Sequence, residues 1–160
     1  MDSEVKKKAL RKFTYGLYIV TAKDGEEAAA GTVTWISQAS FTPPLVMVAV
    51  RNDSHLHTIV EQTRAMAVSV VGTGQDAMAA AFFRPSKIED GKMNGYTVKF
   101  GSETGAPIIT EAPAWVEVRV TDSVARGDHT VYVTEVINAG VSDESAVPLV
   151  LGNTEWTYGG

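Results

Sequence analysis

Gly31-Thr32-Val33-Thr34-Trp35-Ile36-Ser37-Gln38-Ala39-Ser40-Phe41-Thr42-Pro43-Pro44-Leu45-Val46 is the stretch that decides the architecture. Its first half continues a small and β-branched run from Ala28 to Ser37, the composition of a strand. Period-two alternation along such a strand puts Thr32 and Thr34 on one face. Pro43 and Pro44 stiffen the exit, since each fixes φ and lacks a ladder donor. Leu45 to Val50 then runs apolar without a break, as a buried strand does.

Working outward, Phe13 to Thr21 is aromatic and β-branched and closes at the turn Lys23-Asp24-Gly25, so it pairs antiparallel with the strand that follows. Ahead of it, Glu4 to Lys12 reads as a short helix with a basic face. Downstream, His55 to Arg64 reads as a helix capped by Asp53 or Ser54, and Ala65 to Val71 as a further apolar strand. Thr73 to Phe83 reads as a second short helix, with Thr73 and Asp76 at capping-box spacing. Arg84 to Thr104, rich in Gly, Lys and polar residues, is expected to be loop with little regular structure. Ala114 to Thr121 and His129 to Ala139 alternate apolar with polar residues around Arg126-Gly127-Asp128, the pattern of a long hairpin. Val147 to Gly152 and Glu155 to Tyr158 close the chain as short strands or extended tail. Many strands with few short helices argue for a mainly β barrel with helical insertions and against a doubly wound sheet.

The 160 residues suit one domain with a sizeable core. A net charge of −5 argues against broad nucleic-acid binding. The chain has no cysteine, which removes disulfides, thiolate catalysis, thiolate zinc sites and cysteine-ligated iron–sulfur clusters. His55 and His57, two apart, do not share a helix face, so no metal site is expected. No apolar run reaches membrane-spanning length and the first twelve residues are charged, so the cytoplasm is the expected location. Gly72-Thr73-Gly74-Gln75-Asp76-Ala77 fits G-x-G-x-x-A, the dinucleotide fingerprint. The fingerprint needs a hydrophobic strand after its helix, and Arg84 to Gly91 has Pro85 and no apolar run. The motif therefore reads as a tight strand-to-helix turn.

Three motifs resemble the flavin reductase-like family: the opening stretch, Gly127-Asp128-His129 with the strand Thr130 to Val136, and the late Trp156-Thr157-Tyr158-Gly159-Gly160. In order and spacing the resemblance runs from about Phe13 to the C-terminus. The sequence departs from the family pattern at Gln38 and Ala39, where Ser and Val are common. The resemblance implies a mainly β, FMN-binding split β-barrel of Greek-key type. It also implies a non-covalently held flavin, FMN or FAD, with NADH or NADPH as electron donor, and a homodimer; FMN is preferred because the short chain has no obvious extra segment for an adenine. Free flavin, a ferric complex, oxygen or a redox protein partner would take the electrons.

Candidate residues follow from placing the ligand on these motifs. Thr32 and Thr34 are assigned to the ribityl and phosphate end, and Ser37, Gln38, Ala39 and Ser40 to the edge of the ring. Arg51, Asn52 and Ser54 lie in a loop that reaches the phosphate in the resembling proteins, where a helix start also offers N–H groups to an anion. Arg84 and Lys87 are further phosphate candidates, with Phe83 beside the ring. His129 is the candidate catalytic residue, an imidazole able to hydrogen-bond a flavin or nicotinamide carbonyl. Tyr158 is a candidate cover for the ring. Two other functions are compatible with the same residues: a non-enzymatic flavoredoxin-like electron carrier, and a small-ligand barrel without redox activity.

Overall fold

A computed structural model describes residues 1–160. Eleven strands and three helices follow in order: α1 (Ser3–Leu10), β1 (Tyr18–Asp24), β2 (Glu27–Val33), β3 (Ile36–Ser40), β4 (Leu45–Arg51), α2 (His55–Thr63), β5 (Ala65–Val70), α3 (Asp76–Ala81), β6 (Ile88–Glu89), β7 (Lys92–Met93), β8 (Tyr96–Phe100), β9 (Pro107–Ile109), β10 (Ala114–Ala125) and β11 (His129–Val141). A 3₁₀ turn, Leu151–Asn153, precedes the C-terminal tail. No helix is long and apolar enough to cross a membrane.

Two antiparallel sheets result. The larger has the order β2-β1-β5-β10-β11-β4-β3, and the smaller β6-β7-β8-β9. The two edges of the larger sheet, β2 and β3, are consecutive in sequence and separated only by Thr34 and Trp35. Three residue steps span at most about 11 Å, so Val33 and Ile36 hold the opposite edges close together and the sheet must curl round to meet itself. No ladder joins β2 to β3, and the sheet is not closed by hydrogen bonds. The seam falls at Thr34-Trp35.

The sequence predicts one strand over Ala28 to Ser37; the structure breaks it at that seam. Glu27–Val33 pairs with β1, Tyr18 opposite Val33, while Ile36–Ser40 pairs with β4, Ile36 opposite Val48. The two halves of the quoted motif thus belong to different edges of the sheet.

The interior is filled from both faces of β1. Val20 and Ala22 join Val48, Val50, Met66, Val68, Val118 and Tyr132 under α2, which contributes Leu56, Ile59 and Val60. Leu17 and Ile19 face the other way, toward Val71, Met78 and Phe82 and the small sheet's Met93 and Ile109. The buried Thr21 hydroxyl donates to the Pro107 carbonyl, joining the two sheets. Ser54 caps α2 by accepting from the His57 N–H at 3.1 Å, as its residue type predicts.

Two other expectations are corrected. The second short helix spans only Asp76–Ala81, and Thr73 does not cap it; the capping position is Gln75, whose side chain instead accepts from the Gly72 N–H and donates to the Glu111 carbonyl. Gly74, at φ +87°, makes the turn that the dinucleotide-like pattern marks. Arg84 to Thr104 is not plain loop, because it supplies β6, β7 and β8. These strands are two to five residues long and joined by turns at Asp90-Gly91 and Asn94-Gly95, all four with positive φ. Strands so short show no periodicity, and the burial of Met93 reveals them only once the core has formed. At the C-terminus, Gly16 bridges Val150 and Gly72 bridges Pro148, but Glu155 to Tyr158 forms no strand.

Candidate functional site

The seam opens into a cleft of about 660 Å³. One wall is the outer edge of β2, from Ala29 to Val33, which has no strand partner on that side. Thr34 and Trp35 form the floor at the junction. The end of β4 with the start of α2 (Ala49 to Arg51, Ser54 to Leu56) makes the second wall, and Phe82 to Ser86 the third. His129 and Tyr158 close one end. Half of the lining residues are hydrophobic, and two arginines, Arg51 and Arg84, stand at the rim. A planar, partly apolar ring bearing an anionic arm suits such a lining.

Most of the sequence-derived candidates meet here. Thr32, Thr34, Arg51, Ser54, Phe83, Arg84, His129 and Tyr158 all line the cleft. Ser37, Gln38, Ala39 and Ser40 do not; they lie on β3, beyond the seam, and Gln38 donates to the carbonyl of Ser40. Asn52 also lies outside the lining. Its amide donates to the Gly127 carbonyl at 2.8 Å and its oxygen accepts from Thr130 at 2.7 Å, so it anchors the β10–β11 turn that presents His129. Lys87 is paired with Glu89 and faces a second pocket.

Trp35 is the cleft residue that pattern reasoning missed. Continuous alternation would turn it away from Thr34. The break at the seam ends that alternation, and both residues face the cleft. Trp35 lies 4.5 Å, centroid to centroid, from His129 and 5.1 Å from Tyr158. Ala29, Ala30 and Gly31 line the cleft as well. Their small size, legible as a run of small residues ahead of Thr32, lets a ligand approach the β2 backbone.

His129 is held at both nitrogens. Nδ1 lies 2.7 Å from the Asp128 carboxylate, and Nε2 lies 2.7 Å from the Tyr158 hydroxyl. An ionised carboxylate only accepts, so Nδ1 carries a proton; in the neutral ring Nε2 then accepts from Tyr158. The hydrogen bond to His129 holds the Asp128 carboxyl below its ordinary range. Burial pushes the Tyr158 phenol up, so it stays protonated at neutral pH. The tail carrying Tyr158 straps the cleft: Trp156 packs edge-on against Phe83 at 4.9 Å, and the Gly159 carbonyl accepts from Arg11 of the α1 end.

The cations differ in availability. Arg51 forms a two-bond pair with Asp53, at 3.0 and 2.6 Å, which raises the guanidinium and lowers the carboxyl. Arg84 forms no ion pair and is the uncommitted cation of the cleft. Ser54 donates to the Arg51 carbonyl, and Thr32 donates to the Ala79 carbonyl at 2.6 Å, though each hydroxyl keeps acceptor capacity.

Two buried polar atoms lack any partner: Thr34 Oγ1 and Trp35 Nε1, adjacent residues on the cleft floor. An unsatisfied buried polar atom costs roughly 1–3 kcal/mol, so each of the two is a point at which a hydrogen-bonding partner would be stabilising. The residues present therefore suit a flavin, whose flat ring has a polar edge and whose side chain ends in an anion.

A curled antiparallel sheet with a ring-sized cleft at its seam, aromatic at one end and cationic at the rim, defines the class. The sequence matches the flavin reductase like domain over residues 10–159, and the chain belongs to that family. It is 28% identical over 151 residues to diflavin flavoprotein A 1 of Synechocystis sp., covering 94% of this chain and 26% of that protein. The chain thus spans about a quarter of the length of this and similar diflavin relatives. It is 30% identical over 142 residues to the ferric-chelate reductase (NAD(P)H) of Archaeoglobus fulgidus, covering 87% of this chain and 83% of that one. The solved structure of the NADH:FAD oxidoreductase of Streptomyces globisporus C-1027 superposes with a TM-score of 0.80 at 28% identity, covering 91% of this chain and 86% of that one.

Proposed function

We propose that the chain holds FMN or FAD non-covalently in the seam cleft and acts as an NAD(P)H-dependent flavin reductase. The observation that carries this is the pair of unsatisfied polar atoms, Thr34 Oγ1 and Trp35 Nε1, on the floor of a cleft whose rim carries a free arginine. A bound flavin supplies the redox chemistry, taking a hydride from a reduced nicotinamide and passing two electrons to an acceptor. The chain's own residues bind and orient. Thr34 and Trp35 offer hydrogen-bonding groups to the ring edge, and the open edge of β2 offers backbone groups. Arg84, with the N–H groups at the start of α2, faces the phosphate. His129, fixed by Asp128, presents Nε2 at the end of the cleft, where the Tyr158 hydroxyl now meets it and a ligand carbonyl would compete for the same position.

The test is anaerobic mixing of flavin-loaded protein with NADH and with NADPH. Bleaching of the flavin absorbance, near roughly 450 nm for any flavin, is the expected result; a band that persists with both donors rejects reductase activity. Phosphate recognition has its own check. Arg84→Gln weakens FMN roughly three- to tenfold, an effect that shrinks with added salt, while leaving riboflavin unchanged. Arg51→Gln has the smaller effect, because Asp53 already engages that guanidinium.

A second reading is a flavin-bearing electron-transfer module that serves a separate redox protein. The match to one quarter of a longer diflavin flavoprotein favours it. Tightly held flavin with slow NAD(P)H oxidation is its signature. We also read the curled seven-stranded sheet as the family's split barrel, its split lying at Thr34-Trp35, and the protein as a homodimer. Light scattering that reports a monomer would reject the dimer.

A further inference from the structure

Asn52 departs from its neighbours in the loop between β4 and α2. Arg51 and Ser54 line the cleft, whereas Asn52 engages two successive carbonyls of the β10–β11 turn. Its side-chain amide donates to Gly127 at 2.8 Å and its own N–H to Asp128 at 2.9 Å. A carbonyl only accepts, so the amide nitrogen must face Gly127 and the amide oxygen must face Thr130. The Thr130 hydroxyl gives its one proton to that oxygen, at 2.7 Å. His57 Nε2, 3.0 Å from the same hydroxyl, is therefore a donor. One backbone carbonyl thus sets the direction of every bond in the chain His57–Thr130–Asn52–Gly127.

The far end of this chain is rooted in the core. Thr130 is 2% exposed, and the His57 ring packs against the fully buried Tyr132 at 6.1 Å, centroid to centroid. The near end is not. The Asp128 side chain is 94% exposed, so no packing holds its carboxylate against His129 Nδ1. The backbone beneath it has to place it, and Asn52 holds both carbonyls of that backbone. With the carboxylate in position Nδ1 keeps its proton, and Nε2 of the neutral ring reaches the cleft bare. The two neutral rings are accordingly opposite tautomers: His57 carries its proton on Nε2 and His129 on Nδ1.

We infer that His57, Thr130 and Asn52 are positioning residues for His129: their chain holds the Gly127-Asp128 backbone, keeps the Asp128 carboxylate on Nδ1 and so fixes the tautomer that His129 presents to the cleft. None of the three lines the cleft, so they act through His129 and not on a ligand. The effect on turnover rests on the flavin reading above, whereas the effect on the imidazole belongs to the ligand-free protein.

Tyr158 also holds His129, from Nε2, so the experiment removes that hold first. Heteronuclear NMR follows the imidazole nitrogens at about pH 8.5, above the usual histidine range. The ligand-free proteins are Tyr158→Phe alone and Tyr158→Phe combined with Thr130→Val, Thr130→Ser or Asn52→Asp. The chain has three histidines, and His55, which pairs with Glu27, supplies the reference signal. In Tyr158→Phe, His129 is expected to stay protonated at Nδ1. Thr130→Val, which lacks the hydroxyl, and Asn52→Asp, which cannot donate to Gly127, divide the proton between Nδ1 and Nε2. Thr130→Ser keeps the hydroxyl and restores the Nδ1 form, and a misfolded protein would move the His55 signal as well. In flavin-loaded protein with Tyr158 intact, Thr130→Val lowers the limiting rate of flavin reduction by NADH roughly three- to tenfold, the worth of one hydrogen bond. FMN affinity stays unchanged, and Thr130→Ser recovers the rate. His129 in the same tautomer in Thr130→Val as in Thr130→Ser overturns the inference, and so does an altered tautomer with an unaltered reduction rate. Wild-type protein that binds no flavin overturns the flavin reading alone, and the ligand-free spectra then decide the inference.

Discussion

Glu117→Ala lowers the stability of the protein by about 3 kcal/mol and its Tm by roughly 6–12 °C. Glu117 is fully buried on β10. Its carboxylate accepts from the Thr104 N–H at 2.8 Å, the Thr104 hydroxyl at 2.7 Å, the Asn138 amide at 2.7 Å and, more weakly, the Glu103 N–H at 3.2 Å. Alanine leaves these donors facing a void. The loop between β8 and β9 then loses its attachment to the large sheet. Gly101 completes the fit, because a Cβ there would overlap the Glu117 carboxylate. Glu144→Ala, at an exposed position, is the control and leaves Tm unchanged.

The same carboxylate sets an acid limit. Burial pushes its pKa up, but the hydrogen bonds from Thr104, Asn138 and the Glu103 N–H outweigh burial and hold it below the ordinary glutamate value. A carboxyl with a lowered folded pKa contributes stability above its unfolded pKa, about 4.3. That contribution fades as pH falls through the folded value. Glu117→Gln, which cannot titrate, flattens that part of the stability curve. Chemical denaturation of both proteins between roughly pH 3 and 7 measures the difference. Identical slopes would remove Glu117 from the acid limit.

Thr34→Val separates ligand binding from folding. Thr34 is buried, 7% exposed, and its hydroxyl has no partner. Replacing it with a methyl group removes an unsatisfied polar atom, so the ligand-free protein keeps its stability or gains up to about 1 kcal/mol. Flavin affinity moves the other way and falls roughly tenfold or more, because the ring edge loses a desolvated hydrogen bond. Thermal melts without ligand and a fluorescence titration with FMN read the two effects. A Tm that falls while flavin affinity holds would mean that Thr34 serves the fold and not the ligand.

Much of the cleft lining was legible in the sequence because it is local. Ser54 is a cap because of its hydroxyl and its place before an apolar-periodic helix. His129 follows a turn that the hairpin pattern locates, and the motif Gly31 to Val46 carries Thr32 and Thr34. The same motif assigns Ser37 to Ser40 to the ring edge, and the structure sets them on β3, outside the cleft lining. Alternation assumes one continuous strand, and nothing local to Thr34-Trp35 announces that the strand changes edges there. Alternation hides the place of Trp35 in the cleft for the same reason. The small sheet was invisible because two-residue strands have no period to detect.

Composition, turn residues and alternation by themselves determined a mainly β chain with short helices, a long terminal hairpin and a polar motif before a buried strand. They could do so because each depends on the backbone preferences and burial of neighbouring residues. Only the tertiary structure decided that β2 and β3 are opposite edges joined by two residues, so that Thr34 and Trp35 become a cleft floor. It also decided that Glu117, on the polar side of an alternating strand, is covered by the β8–β9 loop. Both outcomes come from segments far apart in sequence packing together, and a side chain's exposure then depends on what arrives from elsewhere in the chain.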